Sequence, residues 1–180
     1  MPIVQADLLY KYTGASSHNA AQTDPNASLG NFRASSNITS GADNNLFDDV
    51  SGAESSAGDT EYRAVGFLNN HATLSLTSCK VWISADTGNA QDDISFAVEA
   101  PSVSETTGAI QTIANESTAP TGVTWSDATT KATGLNCPLE TQEVDAGEWF
   151  GIWWRRVIAV STSAAAAESC TIRVEGDTTA

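Results

Sequence analysis

Trp149-Phe150-Gly151-Ile152-Trp153-Trp154-Arg155-Arg156-Val157-Ile158-Ala159-Val160 (WFGIWWRRVIAV) is the strongest apolar run in the chain. A strand with one wet face alternates apolar and polar residues, because successive side chains point to opposite sides of a sheet. This run is apolar at both phases, so it predicts a central strand buried on both faces. Everything else in the sequence is read outward from it.

Downstream, Cys170–Val174 alternates, with Cys170, Ile172 and Val174 inward and Thr171, Arg173 and Glu175 outward. Upstream, Glu61–Asn69 (EYRAVGFLN) reads as a largely buried strand and Asn69-Asn70-His71 as a turn. Thr73–Ser84 starts with Leu74 and Leu76 inward, then places Val81 and Ile83 on the opposite phase. That slip predicts a bulge near Ser78 or Cys79, or a change of partner. Ile94–Ala100 alternates with Ile94, Phe96 and Val98 on one face, and Pro101 ends it. Ala6–Tyr12 is a further strand, and Ala109–Ala114 and Val123–Trp125 are short candidates. Ser163–Ala167 reads as a turn or a helical scrap. No heptad, amphipathic helix or internal repeat is evident. The expectation is an all-β chain, a single β-sandwich or jelly-roll-like domain with an extended, irregular N-terminal region.

That region is the weak part of the pattern. From Thr13 to about Thr60 the apolar residues arrive singly (Leu29, Phe32, Ile38, Leu46, Phe47, Val50) among Ser, Asn, Gly, Asp and Ala. So long a stretch without structure is unusual in a compact domain. It contains either short strands or an arm that orders against a neighbour. We therefore divide the chain into residues 1–60, an N-terminal strand with extended arm or loops, and residues 61–180, the sandwich core.

The chain has 180 residues, within the size of one domain, and a net charge of −14 from 8 basic and 22 acidic residues. Residues 1–60, 61–134 and 135–180 carry −5, −5 and −4, so no single tail holds the acidity. A surface of that sign repels phosphate backbones and anionic bilayers, which argues against nucleic-acid or membrane partners. No apolar run approaches the ~20 residues of a membrane span. The start of the chain lacks the basic and apolar regions of a secretion signal. Cys79, Cys137 and Cys170 are odd in number and widely spaced, with no C-x-x-C pair. At most one disulfide fits, one thiol stays free, and a reducing cytoplasm suits them better than secretion. Asn-x-Ser/Thr triplets at Asn26, Asn37 and Asn115 are then chance occurrences.

Catalytic signatures are lacking. His18 and His71 sit in polar, turn-like contexts, and a turn role outweighs that of a general base. There is no nucleophile elbow, zinc-protease motif, P-loop or dinucleotide fingerprint. The carboxylates mark no glycosidase pair: Asp48-Asp49 and Asp92-Asp93 are adjacent and point to opposite faces if on strands. Asp86–Asp93 (DTGNAQDD) loosely resembles a calcium loop but lacks the spacing and the terminal Glu, so a solvated turn is preferred. The expectation is a non-enzyme with no cofactor and no metal. Five tryptophans invite a carbohydrate-platform reading, yet Trp153 and Trp154 are neighbours and must face opposite ways. Trp153, Trp154, Arg155 and Arg156 are the candidate protein-interface residues, since Trp and Arg are enriched at interfaces. The alternative is that the two arginines pair with carboxylates at the strand end.

Two stretches, Asn45–Ser84 (NLFDDVSGAESSAGDTEYRAVGFLNNHATLSLTSCKVWIS) and Val144–Arg156 (VDAGEWFGIWWRR), resemble small virion structural proteins of tailed bacteriophages, most of all head decoration or cement proteins. The resemblance implies a homo-oligomer, often a trimer, bound to the major capsid protein on the capsid exterior and assembled in the host cytoplasm. No residue role carries over from it. A tail- or fibre-associated β domain, or a carbohydrate-binding module using exposed tryptophans, is the alternative.

Overall fold

The computed structural model describes residues 2–88, 92–99, 107–161 and 168–178. Nine strands are present among them: β1 (Leu8–Tyr12), β2 (Gly30–Phe32), β3 (Asp59–Asn69), β4 (Leu76–Ala85), β5 (Asp92–Val98), β6 (Ala109–Thr112), β7 (Leu135–Asn136), β8 (Trp149–Ile158) and β9 (Thr171–Thr178). One short helix, α1 (Gly52–Ala57), precedes β3. The strands form three antiparallel sheets, ordered β1-β3-β8-β5, β7-β4-β9 and β2-β6. The protein is all-β and sandwich-like, as its alternation predicts. No helix among the described residues is long and apolar enough to cross a membrane.

β8 lies in the middle of the largest sheet, paired with β3 on one side and β5 on the other. Its two phases enter two different cores. Phe150, Ile152 and Trp154 pack with Val65 and Phe67 of β3, Ile94 and Phe96 of β5, and Leu76, Cys79, Val81 and Ile83 of β4. Trp149 and Trp153 pack on the other side with Ala64, Leu68, Ala97, Ile110 and Ile113. The three-stranded sheet thus covers one face of the central sheet, while β6 and neighbouring loops cover the other. Burial at both phases is why this run shows no alternation.

The phase slip in β4 is a bulge. Its register against β9 shifts between Thr77 and Lys80, and Ser78 sits in the left-handed region at φ 52°. The extra residue turns Cys79, Val81 and Ile83 inward along with Leu76. Residues 123–125 form no strand. Instead Ser126 exchanges two backbone hydrogen bonds with Phe96, at 2.8 and 3.1 Å, on the outer edge of β5. The stretch 163–167 and Pro101 lie outside the described residues.

Apart from β2 and α1, residues 13–58 are irregular, but they lie along the chain's own sheet edges rather than projecting as an arm. The Ile38 and Ala34 N–H groups donate to Tyr10 and Tyr12 carbonyls at 2.8 and 2.9 Å, capping the free edge of β1. Where β1 stops, Ala64 N–H donates to the Ser28 carbonyl and Tyr62 N–H to that of Glu116, at 2.8 and 2.7 Å. The buried Thr13 hydroxyl donates to the Ala64 carbonyl at 2.8 Å. Unpaired edge groups invite aggregation, and these loops satisfy them. Because β1 hydrogen-bonds to β3, the core also includes residues before 61. Helix α1, which periodicity missed, carries a capping box: Ser51 Oγ accepts from Glu54 N–H at 3.2 Å, and the Glu54 carboxylate accepts from Ser51 N–H at 2.6 Å.

Gly66 and Gly151 face each other across β3 and β8. A Cβ on Gly66 would lie 2.9 Å from the Trp149 ring, and one on Gly151 would lie 2.9 Å from two carbons of Ile110. The pair leaves the slot that the indole and the Ile110 side chain fill. Gly151→Ala is therefore expected to destabilise the protein by about 1–3 kcal/mol, as overpacking does. Urea unfolding checks this, and an unchanged midpoint would refute the slot.

Candidate functional site: a charged cluster at the end of the central sheet

Where the apolar phase of β8 ends, Arg156 stands opposite Glu61 of β3 in the strand register. Its Nε donates to Glu61 Oε2 at 2.6 Å, and Nη2 contacts the same oxygen. Nη1 donates to the Asp48 carbonyl at 2.9 Å, and the Asp48 carboxylate lies 3.8 Å from Nη2. The Phe47 ring covers the guanidinium, with its centroid 4.8 Å from the central carbon. Two residues along β3, Arg63 is fully buried and reaches Glu116 at 2.5 Å and Asn26 at 2.8 Å. Its central guanidinium carbon lies 5.7 Å from the same Phe47 centroid. The two arginines thus fasten residues 26, 47–48 and 116 to the central sheet.

Burial raises the Glu61 carboxyl above its usual range, and the charge and hydrogen bonds of Arg156, then Arg63, oppose it. Asp92, opposite Ile158 on the far side of β8, is also pushed up by burial, again opposed by Arg156. One of its carboxylate oxygens is buried with no hydrogen-bond partner among the described residues.

The four residues singled out from sequence do not form one surface patch. Trp153 and Trp154 point into the two cores and are 0% and 3% exposed, because β8 is covered on both faces. Arg156 is buried in its ion pair, as in the strand-end alternative. Arg155 alone is half-buried; its Nε donates to Ser95 Oγ at 2.8 Å and its guanidinium lies 4.9 Å from the Trp125 centroid. On that face the Trp153 indole N–H donates to the buried Glu99 carboxylate, to which the Gln111 amide also donates, at 3.1 and 3.2 Å. Sequence reading missed Arg63, Glu61 and Glu99, since an isolated charge in an apolar strand does not say which way it turns.

Chemically the cluster is an anchor. Glu54, Asp59 and Glu61 bring carboxylate oxygens within 4.8 Å of one another, a spacing a cation can bridge. All three are already used: Glu54 caps α1, Asp59 accepts from Thr60 N–H at 2.7 Å, and Arg156 pairs with Glu61. The histidines hold structure too. His71 Nδ1 accepts from Thr73 and Leu74 N–H at 3.2 and 3.0 Å, and His18 Nε2 lies 3.1 Å from Arg33 Nη2. Burial and the Arg33 charge lower the His18 pKa, so its imidazole is neutral at pH 7.

Arg156→Met strands the buried Glu61 carboxylate and is expected to cost about 3–5 kcal/mol in urea unfolding. Adding Glu61→Leu removes the stranded charge, so the double variant should be more stable than Arg156→Met alone; equal or lower stability would count against the pairing. Asp92 has a raised folded-state pKa, so the folded chain holds its proton more tightly than the unfolded chain, and stability falls as pH rises through that window. Asp92→Asn is accordingly expected to raise the urea midpoint at pH 7 and to give no gain at pH 3, where the wild-type carboxyl is protonated in both states.

The chain matches no family model, and no curated protein or solved structure matches it.

Proposed function

We propose that the chain is a non-enzymatic virion structural protein: a capsid decoration protein that binds the exterior of a tailed-bacteriophage head and stabilises it. Its partner on this reading is the major capsid protein, met by a homo-oligomer, with a trimer favoured, after assembly in the host cytoplasm. The two stretches that resemble such proteins supply the virion assignment. They are also neighbours in the fold, since β3 and β8 share ten register pairs from Asp59–Ile158 to Leu68–Trp149.

The observation that carries the binding role is the segregation of charge. Of the eight basic residues, Lys11, Arg33, Arg63 and Arg156 are buried, against only Glu61 and Glu99 among the acids of the described residues. Those six sum to +2, so the rest of the chain carries −16. Half of the cations serve internal anchoring, and the outside is left acidic. A shell of that sign favours a partner with basic surface and disfavours packaged DNA. A sandwich whose central sheet has its edges capped also suits a part that bears load and performs no chemistry. The carbohydrate-platform alternative gains nothing from the tryptophans. Trp82, Trp149, Trp153 and Trp154 are buried, and Trp125 is packed against Tyr62 at 5.6 Å and under Arg155.

The test is addition of the purified chain to phage heads that lack it, followed by sedimentation and cryo-EM of the particles. Saturable co-sedimentation that weakens with added NaCl, with new density on the capsid exterior, is expected. Failure to bind heads, or density confined to the tail, would overturn the proposal.

A further inference from the structure

Cys79 of β4 and Cys137, the residue after β7, are directly opposed. The register pairs Lys80 with Asn136 and Val81 with Leu135, so one step further sets Cys79 against Cys137. The ladder continues that far, because Cys137 N–H donates to the Cys79 carbonyl at 2.9 Å. Opposed residues in a hydrogen-bonded antiparallel pair have Cα atoms ~5.5 Å apart, within the range a disulfide spans. The bulge at Ser78 turns the Cys79 side chain inward, and both cysteines belong to the same buried cluster. Neither cysteine is in a disulfide, and they are 0% and 3% exposed. Cys170 is excluded from the pair. It precedes Thr171, which pairs with Ala85 at the far end of β4, six residues or roughly 20 Å from Cys79.

We propose that Cys79 and Cys137 form an oxidation site, a dithiol that closes to a single intramolecular disulfide on exposure to hydrogen peroxide and so ties β4 to β7. Cys137 is the attacking group. The neighbouring Cys79 thiol lowers its pKa, against the opposing effect of burial and with a smaller contribution from the backbone at Leu139, while the same thiol–thiol interaction and burial raise that of Cys79. The Cys137 thiol gives up its proton and its thiolate attacks one peroxide oxygen; the O–O bond breaks, a sulfenic acid forms, and the departing hydroxide takes up that proton as the first water. The Cys79 sulfur then displaces the sulfenic oxygen, forming the S–S bond. The Cys79 proton and the displaced sulfenic hydroxyl leave together as the second water. In sum, two thiols are oxidised and one peroxide is reduced to two waters.

The test uses the full chain treated with hydrogen peroxide at neutral pH, then proteolysis without reductant and mass spectrometry. The expected result is a linked peptide pair containing Cys79 and Cys137, lighter by two hydrogens. Thiols titrated under denaturing conditions should fall from three to one. Cys170→Ser should lose both of its remaining thiols and give the same linked pair, whereas Cys137→Ser should give none. A link through Cys170, added oxygens on Cys79 or Cys137 without a link, or three surviving thiols would each overturn the proposal.

Discussion

From Trp149 to Trp154 β8 has no solvent face, and most of the structure follows from that constraint. A strand between two partner strands and between two packed layers must bury whatever its sequence places on either phase. Apolar residues meet this freely, which is why Trp149, Phe150, Ile152, Trp153 and Trp154 lie together in it. The polar residues meet it only with internal partners, because an unpaired buried charge is costly. Arg156 therefore has Glu61, Asp48 and Phe47, and the indole of Trp153 has Glu99. Even the missing side chains are part of the answer, since Gly151 and Gly66 make room for neighbours that would otherwise not fit.

The same constraint gives the irregular N-terminal stretch its role. Residues 13–58 contribute few apolar anchors, but they supply the backbone groups that complete β1 and β3 and the carbonyl that Arg156 grips. Their attachment combines hydrogen bonds at the sheet edges with single apolar side chains, Leu29, Ile38, Leu46 and Phe47, set against the cores, while the sheet's own attachment is apolar and continuous. The buried cations belong to this arrangement. Each takes a positive charge away from the surface, so tethering the loops and acidifying the exterior are one process.

Legibility in the sequence follows the same division. The strands with period-two alternation or continuous apolar character (β3, β4, β5, β8 and β9) were all readable, and the phase slip located the Ser78 bulge, because side-chain burial writes itself directly into residue type. β2 and β7 have three and two residues, too few to show a period. Helix α1 spans six residues, and only Ser51 and Glu54 announce it. The site was less readable than the fold. Arg155-Arg156 stood out because basic residues are scarce, but residue type alone does not distinguish an arginine that faces a partner from one that faces Glu61 across a strand pair. That pairing joins positions 95 apart, and no local pattern encodes it.

The pairing of β3 with β8 also sets an order of events while the chain is made. Some 80 residues separate Asn69 from Trp149, so β3 emerges long before the strand that completes it. At ~5–20 residues per second, synthesis leaves β3 without its main partner for on the order of 4–16 s. During that interval the edge of β3 that β8 later pairs stays open, while β1 and the N-terminal loops cover the other edge. Contacts of this sequence separation also slow folding, since the loop must close before the contact repays it. The N-terminal region thus acts in time as well as in space, shielding the first half of a core whose second half has yet to be translated.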